Sequence, residues 1–443
     1  MQQEILYFIM VDRFFQGIKD KEFDDIDKSH PRKFHGGDIK GIIEKLDYIQ
    51  ELGATALWIT PIFKNDPDGY HGYWAQDFFS VDPHFGILED FKELVQKAHR
   101  KGLKVILDIV VNHTGKTHPL LKEKPHWFHP LVPIKDWDNQ KEVEEKCLGM
   151  LPDLNQDLPE VSSYLINMCK WWIVQTGLDG FRIDTVKHVP REFWRKFCQE
   201  MKGVKEDIIL LGEVWHPDPC YLAPYQKDGI NSLVDFPLYY AITKVFAKDE
   251  PMDKISSILL QDHLYQNPYL LGTFIDNHDV PRFLSVVKDR GKERLKLALD
   301  FLFSVRGVPI IYYGTETGMD GGDDPHNRKD MDFEGDLELR KYVKDLITLR
   351  KKYLSLSLGS LKVLKVTDDG MVFIRECGEE QVVIFINNSF DSQTFVVRLP
   401  DELQRKSWKL VWGKGTYQYS YEIASCIIPP KSSAYFQLFA PEK

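Results

Sequence analysis

Apolar positions along the chain switch between a period of two and a period near 3.6. The run from Glu4 to Val11 is β-rich, ends at Asp12-Arg13, and reads as a first strand. Ile39, Ile42, Leu46 and Ile49 then fall on one helical face, with Gly53 as the stop. Ala54–Thr60 reads as a second strand. Phe91, Leu94, Val95 and Ala98 make another helical stripe, closed by Gly102, and Lys104–Val111 is a third strand. Strands alternating with helices predict a parallel sheet. The alternation stops after His113. Residues 114–152 carry prolines, histidines and a charged patch instead, and so long an insertion in a regular chain is usually functional. Beyond it, Asp157 and Glu160 are spaced as a capping box, and Val161, Leu165, Met168 and Trp172 form the next helical face. Further strands are expected within Gly177–Val189 and at Ile208–Gly212, Ser232–Phe236, Leu271–Ile275 and Val308–Tyr313.

Eight strands alternating with helices predict an α/β fold of the (β/α)8 TIM-barrel kind. A helix over Leu337–Tyr353 would close it. The pattern then changes to short alternating runs at Val372–Arg375, Val382–Asn387, Thr394–Arg398, Trp408–Val411, Ile427–Ile428 and Ala434–Phe439, which predict a C-terminal antiparallel β-sandwich. The expected division is a barrel over 1–113 and 153–355, an insertion over 114–152, and a sandwich over 356–443.

Composition narrows the partners. A length of 443 residues, 43 % hydrophobic and 13 % aromatic, suits a barrel plus a small domain with a large core. The net charge of −10 argues against nucleic acid and against an anionic membrane surface. No apolar run approaches the ~20 residues of a membrane span. The N-terminus MQQEILYFIMVDRF lacks the features of a secretory signal, so a cytoplasmic protein is expected. The six cysteines are scattered, with neither metal nor disulfide spacing, and read as free, mostly buried thiols.

The most informative stretch is Gly177–Val189, GLDGFRIDTVKHV. Arg182 lies two residues before Asp184, so both side chains point to one side of a strand, and the guanidinium keeps the carboxylate ionised. A barrel's active site lies at the C-terminal ends of its strands. Asp184 ends the fourth strand, Glu213 follows the fifth and Asp279 the seventh, so three carboxylates distant in sequence are expected on one face. Paired carboxylates on one face can divide nucleophilic and acid/base work between them. Leu210, Leu211 and Trp215 around Glu213 predict an apolar surround that would raise its pKa and suit a proton donor.

GFRIDTVKH resembles the nucleophile segment of the α-amylase family of glycoside hydrolases. DIVVNH (Asp108–His113), LPDLN (Leu151–Asn155), GEVW (Gly212–Trp215), FIDNHD (Phe274–Asp279) and GVPIIYYGTE (Gly307–Glu316) resemble its other segments, in the same order. The resemblance implies Asp184 as nucleophile, Glu213 as acid/base and Asp279 as the carboxylate that stabilises the transition state. It implies that His113, His278 and Arg282 contact sugar hydroxyls, and that Tyr73, in HGYWAQD, stacks on the sugar at the cleaved position. Trp74, Tyr70 and Trp215 would extend that aromatic platform, while Arg182, Lys187 and His188 fall on the substrate side, the last two toward the acceptor.

The insertion matches the family's domain B in a short form. Asn112, Asp153 and the backbone oxygen of His188 match the ligands of one calcium ion, whose preference for oxygen they satisfy. Thr185 after the nucleophile resembles α-1,4-cleaving members. These features imply an α-amylase acting on α-glucans or maltooligosaccharides, with cyclomaltodextrinase or 4-α-glucanotransferase as the alternative. The family's non-catalytic barrels usually lose the carboxylates retained here. The first strand is read from Glu4, so the N-terminal dimerisation domain of the cyclomaltodextrinase branch is not expected, and a monomer is expected.

Overall fold

The computed structural model describes residues 1–19, 23–404, 406–419 and 422–439. Part of the polar stretch read as a loop over 16–35, residues 20–22, lies outside them. Eight short parallel strands form a nearly closed barrel: β1 (Leu6–Ile9), β2 (Ala56–Ile59), β3 (Lys104–Ile109), β4 (Gly180–Ile183), β5 (Ile209–Gly212), β6 (Ser232–Leu233), β7 (Gly272–Thr273) and β8 (Val308–Tyr312). Their order in the sheet is β6-β5-β4-β3-β2-β1-β8-β7. All eight fall inside the expected ranges, and antiparallel sheets follow at the C-terminal end, as the alternating runs predict.

The chain divides into two compact units. One holds Leu6–Val234 with Asp324–Met331, and the other holds Met1–Ile5, Asp235–Asp323 and the chain from Asp332 onward.

In the first unit, β1 to β5 are buried almost throughout, which is why they read as continuous apolar runs rather than alternating ones. Register is fixed by pairs such as Ile109↔Ile183 and Ile183↔Gly212, so the residues after β4 and β5 emerge side by side. Gly180 permits the close approach of β4 to β5, because a Cβ there would sit 2.4 Å from the Ile209 carbonyl oxygen. Helix Pro159–Thr176 ends on Gly177 in the left-handed region, which sets the turn into β4.

Two local expectations are corrected, and one element is added. The Ile39–Ile49 stripe is two helices, Ile39–Glu44 and Leu46–Leu52, broken at Lys45 without losing the phase of the buried face. Asp157 and Glu160 form no capping box: the N-cap is Leu158, with Pro159 supplying the preset first-turn dihedral. A hairpin of Phe63–Asn65 and Ala75–Val81 lies between β2 and the next helix. The insertion 114–152 is built from short helical pieces, chiefly Leu120–Glu123 and Gln140–Glu145.

In the second unit, β7 and β8 pair through Val308↔Gly272. The C-terminal sandwich has a five-stranded sheet, in the order 360–366, 370–377, 380–387, 432–439, 407–413, facing a three-stranded one in the order 393–398, 423–428, 416–419. Phe385, Phe395, Trp408, Cys426 and Phe436 are at the centre of its core. Among the described residues no helix is long and apolar enough to cross a membrane.

Candidate active site

Arg182 organises the polar end of β3, β4 and β5. Its Nη1 donates to Asp108 Oδ1 at 3.1 Å and to Asp184 Oδ1 at 2.7 Å, while its Nη2 meets Glu213 Oε1 at 2.8 Å. One guanidinium thus holds three carboxylates from three adjacent strands, the use its rigid fork allows. The expected pairing of Arg182 with Asp184 is present, and Glu213 shares it. The backbone reinforces the arrangement: Asp184 N donates to Ile109 O at 2.9 Å, and Glu213 N donates to Ile183 O at 2.8 Å. Two carboxylates on the two amino groups of one arginine are compatible with the roughly 5–5.5 Å of a retaining pair.

Exposure separates their tasks. The side chains of Asp108 and Arg182 are 0 % and 1 % accessible, whereas Asp184 keeps 10 % and Glu213 6 %. Asp184 and Glu213 are therefore the members that open toward a ligand, and Asp108 works from behind. Asp108 also accepts from Tyr73 Oη at 2.8 Å and from Trp58 Nε1 at 3.0 Å. Burial pushes its carboxyl up to about 6, against the pull of Arg182, Tyr73 and Trp58. Against the cost of burial, Asp108, Glu213, Tyr73 and Asp184 hold the Arg182 guanidinium above its ordinary pKa.

The apolar surround expected for Glu213 is not what its carboxylate meets. Besides Arg182, it accepts from Thr185 N at 3.0 Å, and Trp215 is 38 % exposed. Leu210 and Leu211 are buried in β5. Thr185 adopts the left-handed region (φ 51°), which aims its N–H at Glu213.

His113 is buried, its Nε2 3.2 Å from the Tyr73 carbonyl, and burial pushes its pKa down to about 4. It is neutral at ordinary pH, with its one N–H given to the Tyr73 carbonyl and its Nδ1 accepting from the Asn112 amide at 3.3 Å. Tyr73 stacks against His71 at 5.7 Å, and Trp74 meets His71 edge-on at 4.5 Å. Tyr70 does not extend the platform. It is 2 % exposed, lies under the Arg13 guanidinium at 4.3 Å, and is hydrogen-bonded to Arg328.

On the acceptor-side candidates, Lys187 Nζ donates to the Trp215 carbonyl at 2.9 Å and lies 5.4 Å from the ring of Trp137. Trp137 is 52 % exposed and was not singled out from sequence. The only signal there is a tryptophan in a polar segment, IKDWDNQ. The His188 side chain is buried, donates from Nδ1 to the Val143 carbonyl at 3.0 Å, and is held near a pKa of about 3 by burial and by Lys187. Asp108 and Trp58 also belong to the site, and the sequence signal for the first is a carboxylate inside the apolar run KVILDI.

In the second unit, Asp279 follows β7. Its N–H donates to Asn277 Oδ1 at 2.7 Å, and its carboxylate lies 3.3 Å from His278 Nε2 and is 21 % accessible. Arg282 is fully buried between the rings of Tyr312 and Tyr313, at 4.0 and 4.9 Å, and donates to the Tyr313 carbonyl at 2.6 Å.

The oxygen set read as a cation site fits one. Asn112 Oδ1 and Asp153 Oδ1 are both buried without a hydrogen-bond partner. They are brought together by the bridge His113↔Asp153 and by the bond from Leu154 N to Asn112 O. Asp153 Oδ2 is taken by His129 Nδ1 at 2.7 Å, and burial raises the carboxyl to about 6. Among the described residues no three His, Cys, Asp or Glu side chains converge as a metal cluster, so a cation here would depend on amide and carbonyl oxygens as well.

A family model described as the alpha amylase catalytic domain matches residues 8–348. A protein of Paenibacillus polymyxa named beta/alpha-amylase is 40 % identical over 422 residues, covering 90 % of this chain and 35 % of that protein. A cyclomaltodextrinase of Geobacillus thermopakistaniensis is 36 % identical over 387 residues, covering 81 % and 63 %. The chain thus spans less than two thirds of the length of either of these curated relatives. Among solved structures, an Anoxybacillus α-amylase superposes with a TM-score of 0.95 at 46 % identity, covering 100 % of this chain and 99 % of that one. The α-amylase of Geobacillus thermoleovorans, solved with acarbose, gives 0.91 at 42 % identity with the same coverage.

Proposed function

The chain belongs to the α-amylase family of glycoside hydrolases, and from that premise we propose that it cleaves α-1,4-glucosidic bonds in starch-like glucans or maltooligosaccharides with retention of configuration. The observation that carries this reading is the Arg182 fork, which gives Asp184 and Glu213 a common partner and leaves both accessible. In the proposed reaction Asp184 attacks the anomeric carbon as Glu213 protonates the departing glycosidic oxygen. The sugar is then esterified to Asp184. Glu213 next takes a proton from water, whose oxygen displaces Asp184 from the anomeric carbon. Tyr73 would cover the apolar face of the sugar, beside His113. Two inversions at one carbon predict that the first product is the α-anomer. Proton NMR in the first minutes of digestion measures this, and a β-anomer appearing first would overturn the roles of both carboxylates.

The second reading is a cyclomaltodextrinase or 4-α-glucanotransferase. It is favoured by the named relative and by the acceptor-side group of Lys187, Trp137 and Trp215, which offers two exposed rings to a sugar. Products from amylose, maltotriose and β-cyclodextrin separate these activities. Fast ring opening with slow amylose cleavage supports the second reading, and a large disproportionation of maltotriose supports transfer.

We also assign one calcium ion to Asn112, Asp153 and the His188 carbonyl, on the strength of the two orphaned oxygens. The ion would hold the insertion to β3 and take no part in bond cleavage. A cytoplasmic monomer is the proposed state. The six free cysteines fit a reducing compartment, and a Bacillus subtilis relative, 33 % identical, is named intracellular maltogenic amylase.

A further inference from the structure

The turn that carries Lys187 has an unusual anchor. Residues Val186–His188 form a single 3-10 turn after Asp184, too short to fix itself by its own hydrogen bonds. Its first end is tied to the barrel, with Val186 N donating to Glu213 O at 2.9 Å and Trp194 Nε1 donating to Val186 O at 3.0 Å. Its second end is tied to the insertion. Gln140 Nε2 donates to the Lys187 carbonyl at 2.9 Å, and His188 Nδ1 donates to the Val143 carbonyl at 3.0 Å. Both partners lie on helix Gln140–Glu145, which is capped by Asn139 and buries Val143.

The Gln140 amide is itself fully engaged. Its second N–H meets Glu144 Oε1 at 2.7 Å, and its oxygen accepts from Tyr221 Oη. Tyr221 belongs to helix Pro219–Lys227 beyond Glu213 and stacks on His216 at 4.3 Å. Gln140 therefore joins three elements: the insertion helix, the Lys187 turn, and the segment that follows the proposed acid/base. Lys187 in turn touches Trp215 and Trp137.

We propose that Gln140 is a positioning residue for the acceptor side. By holding the Lys187 carbonyl it sets where the ammonium and the two tryptophans present themselves to an incoming sugar. It thereby tunes the choice between a sugar hydroxyl and water in resolving the glycosyl-enzyme. This rests on the acceptor-side reading of Lys187 given above. Gln140 touches neither Asp184 nor Arg182, so formation of the intermediate does not depend on it.

The test compares wild type with Gln140→Ala and with Gln140→Glu, which keeps the shape and the acceptor for Tyr221 but loses the N–H groups to Lys187 and to Glu144. Fluoride release from α-maltosyl fluoride reads the donor side alone, since its leaving group is not a sugar. It should stay within about twofold of wild type in both variants, because no donor-side contact is lost. The KM for maltohexaose should rise, and the ratio of transfer to hydrolysis should fall, each by roughly fivefold, the worth of about one net hydrogen bond. In a Lys187→Met background, Gln140→Ala should add almost nothing, since the group it positions is gone. Wild-type KM and transfer ratio in both variants would overturn the proposal, as would an equal loss of fluoride release and oligosaccharide turnover. A wild-type enzyme that releases no fluoride would instead strike at the glycosidase reading itself.

Discussion

At the scale of single residues, the site turns on one buried arginine shared by three carboxylates. Asp184→Asn keeps the shape and an oxygen for Arg182 Nη1 but removes the proposed nucleophile, so turnover of maltooligosaccharides should fall by about 10⁴-fold or more while maltotetraose still binds. Calorimetric titration and steady-state rates measure the two, and a variant with a tenth of wild-type activity would refute the assignment. Arg182→Lys tests the fork. An ammonium is a point donor and cannot span Asp108, Asp184 and Glu213 at once, so at least one buried carboxylate is left uncompensated. Thermal unfolding should register a loss of about 3–5 kcal/mol, with activity falling by two orders of magnitude or so as the pair drifts apart. A lysine variant with the wild-type melting temperature would mean that the bridge is dispensable.

At the scale of elements, the segments on either side of the insertion meet at Asn112 and Asp153, each of which keeps one buried side-chain oxygen, Oδ1, without a partner. A cation bound only by the folded chain stabilises it by about 2.7 kcal/mol at a hundredfold excess over its dissociation constant. Chelation should therefore lower the melting temperature of the wild type, and Asp153→Ala should melt low from the start and ignore the chelator. A chelator-insensitive wild type with no metal by elemental analysis would remove the site. The same elements show what was legible in the sequence. The barrel strands could be read because burial on both sides makes each an apolar run, as in Lys104–Ile109. The break at Lys45 was hidden because the two helices on either side keep one apolar phase. The strands Ser360–Val366 and Thr416–Tyr419 escaped notice because their faces are largely polar or half-exposed, so they lack the alternation that marks their neighbours. Asp184 and Glu213 were found by their motifs. The roles of Asp108, Trp58 and Trp137 emerge only when elements distant in sequence meet: an acid in an apolar run and a tryptophan in a polar one mark the first and the last, but neither signal names its partners.

At the scale of the whole molecule, the C-terminal sandwich is bound to helix Gly291–Ser304 by buried polar groups, so the second compact unit is one fabric of barrel and sandwich residues. Arg375, on a sandwich strand, donates to the carbonyls of Ser304 and Val305 at 2.6 and 2.7 Å, closing the C-terminal end of that helix where cations are favoured. Burial, and then the neighbouring Arg350, pull its pKa down to about 9. Asp300, inside the same helix, accepts from Tyr342 Oη at 2.6 Å, from Trp412 Nε1 at 3.0 Å and from Ser433 Oγ at 2.7 Å. Despite these donors, burial pushes its carboxyl up to about 6 from 3.8. A carboxyl whose folded pKa is raised takes up a proton on folding between those two values. Its contribution therefore favours the folded state at low pH and is lost as pH rises through about 6. Asp300→Asn removes the titration, keeps an oxygen for Tyr342 and Trp412, and leaves Ser433 free to turn its hydroxyl and accept from the amide. Relative to this variant, the wild type should lose up to about 3 kcal/mol between pH 4 and pH 7, the equivalent of roughly two pKa units. Urea unfolding of both proteins across that range isolates the difference, since every other titrating group is common to them. A constant stability gap from pH 4 to 7 would show that Asp300 is ionised throughout, and that its three donors outweigh the cost of burying the charge.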